Sequence, residues 1–273
     1  MKKKILKKGK NSKIKSMKKK VVKSKSKTKP MKKSVKKAQD ETTEIICVID
    51  RSTSIRTSGL IEKTIEGFNS FLAEQKKLPG KAKLTLCLFD GGMGYGNTGV
   101  EGETYEIRHS GIDIKDIPEL NTTTFVPKGM TALYDAVGNT IDTFYKRFQE
   151  TKESERADKV IFLISTDGEE NSSKEYNQKT VFDLIKKHKE ENKFAFIFIG
   201  ANIDTMRTGG GIGVSGGNMM SYTNSDLGVK TAYCNMSKSV ANFRSMSVND
   251  DKYESSLDTL IADNGVEKET INN

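Results

Sequence analysis

Asp50, Ser52 and Ser54 set one carboxylate and two hydroxyls at every second position, directly after the apolar run Ile45-Ile46-Cys47-Val48-Ile49. A run apolar at every position reads as a short strand buried on both faces, as in the middle of a parallel sheet. If the chain leaves that strand extended, alternate side chains point the same way and the three oxygens share a side. Hard oxygens gathered at a strand's C-terminal end suit a hard cation such as Mg2+. The plainer reading is a strand, a Ser-rich turn and a helix N-cap. Two further oxygen-bearing residues have matching placements. Thr131 stands at the start of a helix, and Asp167 follows a strand within Ser-Thr-Asp-Gly-Glu.

Such positions need a sheet to hold them. Ile61, Ile65, Phe68 and Leu72 recur at helical spacing within 60–77, and Pro79-Gly80 ends that helix. Residues 82–90 read as a second strand. Residues 103–109 read as a third, close enough to pair antiparallel with the second at a sheet edge. The glycine-rich stretch 90–102 between them reads as a flexible loop on the rim of the site. A turn of helix is expected within 113–119. Leu133, Val137, Ile141, Phe144 and Phe148 then mark an amphipathic helix. Residues 159–166 form a buried strand, Val181, Leu184, Ile185 and His188 a helix, and 194–199 a further strand. A glycine-rich loop follows, then a short strand at 218–223 and a last helix at 226–243. Strands alternating with helices predict an α/β fold: a doubly wound, mostly parallel six-stranded sheet with one antiparallel edge strand and helices on both faces. Ligands in such sheets gather at the carboxyl ends of strands, where strand order reverses. Asp50, Thr131 and Asp167 therefore converge although they are far apart in sequence.

Charge divides the chain. It has 273 residues and a net charge of +10, yet residues 1–40 hold 19 lysines against one acid, Asp40, and the remainder carries a net −8. Residues 1–42 contain no aromatic side chain and are expected to be a disordered basic tail. That tail reads as a solubilising segment or as an electrostatic arm for nucleic acid, sequence-blind and salt-sensitive. Residues 43–248 form the folded domain and 249–273 a flexible C-terminal tail. Cys47, Cys87 and Cys234 show neither a disulfide framework nor a zinc spacing, which favours a reducing, cytoplasmic compartment and leaves virion or nucleus open. No apolar run approaches the length of a transmembrane segment. Gly213-Val214-Ser215-Gly216-Gly217 matches a nucleophile elbow. Both histidines, His109 and His188, precede it, and no strand feeds it, so the chain is not expected to be an enzyme.

Asp50-Arg51-Ser52-Thr53-Ser54, Thr131 within Gly-Met-Thr-Ala-Leu-Tyr-Asp-Ala, and Asp167 within Ser-Thr-Asp-Gly-Glu together resemble the metal-ion-dependent adhesion site of von Willebrand factor type A domains. Phe-Ile-Phe-Ile-Gly-Ala-Asn-Ile-Asp at 196–204 is similar to compact bacterial, phage and large-virus members. The resemblance covers about 43–246. It implies a Rossmann-like fold and a bound Mg2+ (or Mn2+). Ser52, Ser54 and Thr131 would touch the ion through hydroxyls, and Asp50 and Asp167 directly or through water. Neutral hydroxyls leave the ion much of its positive character, so it takes an Asp or Glu carboxylate from a protein partner as its last ligand. Ile55 stands where many members have Met. Arg51 reads as facing solvent or the partner and selecting anionic ligands. Glu169 and Asp135 read as first-turn acids near helix N-termini.

Overall fold

β1 (Thr43–Asp50) is buried along all eight residues. The computed structural model, which describes residues 37–92, 104–201 and 203–261, shows why. β1 pairs in parallel with β2 (Ala82–Phe89) on one side and with β4 (Lys159–Thr166) on the other. With β3 (Tyr105–Asp113), β5 (Ala195–Ala201) and β6 (Met219–Tyr222), the order across the sheet is β3-β2-β1-β4-β5-β6. Only β3 runs antiparallel, on the β2 edge. This is the doubly wound α/β sheet expected from the alternation of strands and helices. Strand order reverses between β1 and β4, so a crevice opens there at the carboxyl ends.

A parallel strand must be apolar on both sides, and the two sides of β1 face different helices. Ile45, Cys47 and Ile49 pack with α2 (Ile61–Lys77) and α6 (Asp226–Ser245). Ile46 and Val48 pack with α3 (Leu133–Glu150) and α4 (Gln178–Asn192). A short helix, α1 (Thr53–Thr57), follows β1, and α5 (Thr205–Gly211) follows β5.

α5 stands where a glycine-rich loop was expected. Glycine weakens an isolated helix. Here Gly209 is needed instead, because a methyl group on it would lie 2.7 Å from Met219 Sδ and 2.9 Å from Phe198 Cδ1. The bare backbone lets α5 settle against β5 and β6. The turn expected within 113–119 is one 3-10 turn, Ile114–Asp116.

Residues inside both expected tails, 1–42 and 249–273, are packed against the body. Glu41 is buried, and its carboxylate lies 3.3 Å from Lys159 Nζ, with neither side chain exposed. Lys159 Nζ also donates to the carbonyls of Arg244 at 2.7 Å and Met246 at 2.5 Å. At the other end, α7 (Tyr253–Ser256) and the residues after it return to the body. Tyr253, Leu257, Leu260 and Ile261 are buried with the α2/α6 core. Asn218 fixes this segment, donating to Leu257 O at 2.6 Å and accepting from Leu260 N at 2.7 Å. The lysine-rich residues 1–36, residues 93–103 of the stretch expected to be a loop, residue 202 and residues 262–273 lie outside the described residues.

Candidate metal centre

Asp50 ends β1, and Thr166-Asp167 ends β4, on either side of the reversal in strand order. The β1/β4 register sets Ile49 opposite Ser165, which brings Asp50 beside Thr166. The Thr166 hydroxyl donates to Asp50 Oδ2 at 2.6 Å, and the Ser52 amide donates to Asp50 Oδ1 at 2.6 Å. Ser52 is the N-cap of α1 and Ser54 lies in its first turn. Ser52 Oγ and Ser54 Oγ stand 2.8 Å apart, and Ser54 Oγ donates to Asp167 Oδ1 at 2.6 Å. Asp167 Oδ2 is buried without a hydrogen-bond partner among the described residues.

Thr131 arrives from the loop before α3. Asn171 clamps it, accepting from Thr131 N at 2.9 Å and donating its own amide to Thr131 O at 3.0 Å. A methyl group on Gly168 would stand 3.1 Å from Thr131 Oγ1 and 3.8 Å from Ser54 Oγ. Both hydroxyls therefore face the same bare glycine, and all five candidate residues lie in one cluster. A side chain on Gly168 would crowd that space.

Electrostatics match the geometry. Burial pushes the Asp50 carboxyl up to about 7, with the Asp167 charge adding to the shift against the Thr166 and Ser52 hydrogen bonds. Burial also raises Asp167, against the hydrogen bond from Ser54. These are two adjacent carboxylates short of positive charge. The donor set fits a hard divalent ion, since it offers carboxylate and hydroxyl oxygens with no sulfur or imidazole. Among the described residues no group of three or more His, Cys, Asp or Glu side chains is placed to hold a metal. An ion here would rely on hydroxyls as much as on carboxylates.

Three expectations need correction or refinement. Arg51 does not face a partner. Its side chain is 6% exposed, with Nε 3.0 Å from Asp90 Oδ2 and Nη1 2.6 Å from Glu106 Oε2. Asp90 directly follows β2 and Glu106 is the second residue of β3, so two carboxylates at neighbouring strand ends draw the guanidinium inward. Arg51→Met is expected to destabilise the fold by about 2–3 kcal/mol in urea unfolding, because it strips the buried Asp90 of its nearest cation. Lys128, 4.0 Å from Asp90, holds the cost below that of a wholly unpaired charge. Glu169 is not at a helix N-terminus. It is exposed and pairs with Arg207 of α5 at 2.5 Å. Asp135 does lie in the first turn of α3, but its carboxylate also accepts the amides of Lys174, Glu175 and Tyr176 at 2.7–2.8 Å.

Sequence reasoning missed Glu170, which accepts from the Tyr134 amide at 3.0 Å and from the Ser172 and Ser173 amides at 2.8 and 2.7 Å. It joins the start of α3 to the loop after β4, and so holds Thr131 near Asp167. The signal was the run Glu170-Asn171-Ser172-Ser173, dense in groups that bond backbone amides. Ser215 is held by Lys189 and Asp258, at 2.6 and 2.7 Å, and has no histidine beside it in those bonds. His188 is buried on α4, stacked on Phe194 with ring centroids 5.4 Å apart, and burial lowers its pKa.

Sheet order, helix placement and the oxygen cluster at the β1/β4 crevice define a von Willebrand factor type A fold, and solved structures agree. The von Willebrand factor domain of the type V pilus tip protein Mfa5 from Porphyromonas gingivalis superposes with a TM-score of 0.51 and 8% identity, over 78% of this chain and 99% of that one. The pilus adhesin SpaC from Lactobacillus rhamnosus GG gives 0.51 at 13% identity, over 77% of this chain and 31% of that one. Proximal thread matrix protein 1 from the mussel byssus gives 0.50 at 14% identity, over 74% and 47%. This chain thus spans about half the length of the byssus protein and under a third of SpaC. At these identities the likeness is one of fold. No protein-family model matches the chain, and no curated protein does.

Proposed function

We propose that the chain is a divalent-cation-dependent protein-binding module, with Asp50, Ser52, Ser54, Thr131 and Asp167 holding Mg2+ (or Mn2+). The observation that carries this reading is the convergence of two buried carboxylates and three hydroxyls on the crevice between β1 and β4. A bound ion supplies a positive, oxygen-seeking centre that accepts an Asp or Glu carboxylate from a partner protein. The chain's residues do the rest. Asp50 holds α1 in place through the Ser52 amide, so the two serine hydroxyls are set before any ion arrives. Gly168 keeps the mouth open beside Thr131. Two fold neighbours are a pilus adhesin and a pilus tip protein, and the proposal extends the same kind of use to this chain. Cys47 and Cys87 are buried free thiols and Cys234 is an exposed one, in keeping with a reducing compartment. Among the described residues no helix is long and apolar enough to cross a membrane.

The test is a displayed library of short random peptides, panned against the full chain in Mg2+. Recovered peptides are expected to carry Asp or Glu and to elute in EDTA. Enrichment that survives EDTA, or that is unchanged by Asp167→Asn, would sink the reading.

A second reading has its own support in the 19 lysines of residues 1–40, which contain no aromatic residue. We propose that this arm binds nucleic acid through phosphates alone. Affinity for random-sequence duplex DNA is then expected to fall roughly a thousandfold between about 50 and 200 mM salt, and to vanish in a chain starting at residue 37. Equal binding by the two chains would remove the arm from the function.

A further inference from the structure

Beneath the oxygen cluster, Asp167, Asn224, Tyr233, Ser165 and Thr64 line a small cavity with about 10 Å³ open to the centre of a water molecule. That is room for one. Three atoms of its lining residues are buried without a hydrogen-bond partner among the described residues: Asp167 Oδ2, Asn224 Oδ1 and Tyr233 Oη. They come from three elements, the end of β4, the loop between β6 and α6, and α6 itself. Each is held from outside the cavity. Ser54 fixes the other Asp167 oxygen, and the Ser225 N-cap, accepting from Gly228 N at 3.1 Å, fixes the loop carrying Asn224. The Tyr233 ring packs against α2 at Gly67, where an added methyl would lie 2.4 Å from Tyr233 Cδ2 and 2.9 Å from Cγ.

The chemistry of the three atoms is unequal. The phenol has a hydrogen to give, whereas the carboxylate and the amide oxygen can only accept. A molecule that satisfies all three must accept once and donate twice, and must be the size of one water. Buried polar atoms left unpaired in such numbers are costly, and internal waters typically make about three bonds to groups of this kind.

We propose that one structural water sits in this cavity, accepting from Tyr233 and donating to Asn224 and Asp167. Tyr233 and Asn224 are then positioning residues for Asp167. They fix which way its carboxylate turns, and so how Asp167 Oδ1 meets Ser54. The link to metal affinity rests on the function proposed above. The water itself does not.

The experiment uses the full chain, its Tyr233→Phe and Asn224→Ala variants and the double variant, all in EDTA. An unpartnered buried hydroxyl destabilises, so in a dry cavity Tyr233→Phe leaves Tm unchanged or raises it. With the water bound, Tyr233→Phe lowers Tm by about 2–4 °C, as loss of one hydrogen bond does in a domain of this size. The double variant then loses less than the two single losses combined, because both act through one molecule. A crystal structure shows density for one water bonded to all three atoms. The Ser165 hydroxyl lies near Tyr233 and is the competing partner. If Ser165→Ala matches the Tyr233→Phe loss and no density is found, the proposal is overturned. A raised Tm overturns it too. In Mg2+, Tyr233→Phe is expected to weaken the ion's affinity about tenfold, as outer-shell changes do. If the parent binds no Mg2+, the metal reading fails while the EDTA series still decides the water.

Discussion

Asp50→Asn and Asp167→Asn are expected to raise Tm in EDTA and to abolish the rise that Mg2+ gives the parent. Both acids are buried and adjacent, and burial raises both pKa values, so each carries a charge that the metal-free fold holds at a cost. An amide keeps the shape and one acceptor for Ser52 N or for Ser54 Oγ, and removes the charge. The gain in EDTA should be about 2–4 °C, equivalent to about 1 kcal/mol in a domain of this size. In Mg2+ at a hundred times its Kd the parent should gain about 2.7 kcal/mol, or roughly 5–10 °C, and the variants nothing. Thermal unfolding read by circular dichroism in the two buffers checks both signs. Variants that lose stability in EDTA, beside a parent indifferent to Mg2+, would mean that the two carboxylates serve only as acceptors, Asp50 for Ser52 and Thr166 and Asp167 for Ser54.

The second large effect lies at the opposite end of the sheet. Lys159→Met is expected to destabilise the domain by about 3–5 kcal/mol, the cost of stranding a buried partner charge. Glu41 is fully buried in that pair and keeps neutral donors alone, the hydroxyl of Ser247, the amide of Val248 and the side-chain amide of Asn249, at 2.8, 3.2 and 3.4 Å. The variant also strips the Arg244 and Met246 carbonyls of a donor just where α6 ends. Arg244 cannot take over, since it is committed to Gln75 O at 2.6 Å at the end of α2. Adding Glu41→Gln to Lys159→Met should recover most of the loss, because no charge is then left buried alone. Urea unfolding of the single and double variants measures this. A loss under about 1 kcal/mol for Lys159→Met would show that water reaches the pair.

The two ends of the sheet were unequally legible in sequence. The carboxyl end of β1 and β4 could be read because its residues repeat a simple rule: an apolar run, then an oxygen-bearing side chain where the strand stops. That rule marked Asp50, Ser52, Ser54 and Asp167, and the helix start marked Thr131. The helices could be read for the same kind of reason. Ile61, Ile65, Phe68 and Leu72 display the period of α2 directly. What escaped depends on partners far away in the chain. Arg51 looked like a surface charge because Asp90 and Glu106 reach it only through the pairing of β2 with β3. Glu41 looked like the last of a polar tail because its partner Lys159 is remote in sequence. The segment holding Tyr253, Leu257, Leu260 and Ile261 is too short and irregular to show a period, yet it covers the core beside Phe243. α5 was hidden by its own glycines, of which Gly209 is the one that close packing on β5 and β6 requires. Local pattern reports strands, helices and their ends, whereas ion pairs across the fold appear only once the sheet order is known.

On the function proposed, five oxygen-bearing side chains form one divalent-cation site. Calorimetric titration of Mg2+, and separately Mn2+, into the full chain beside its Asp50→Asn variant tests it most directly. One ion bound per parent chain and none by the variant is the expected result. Equal binding by both chains, or no binding to the parent at millimolar metal, would contradict it.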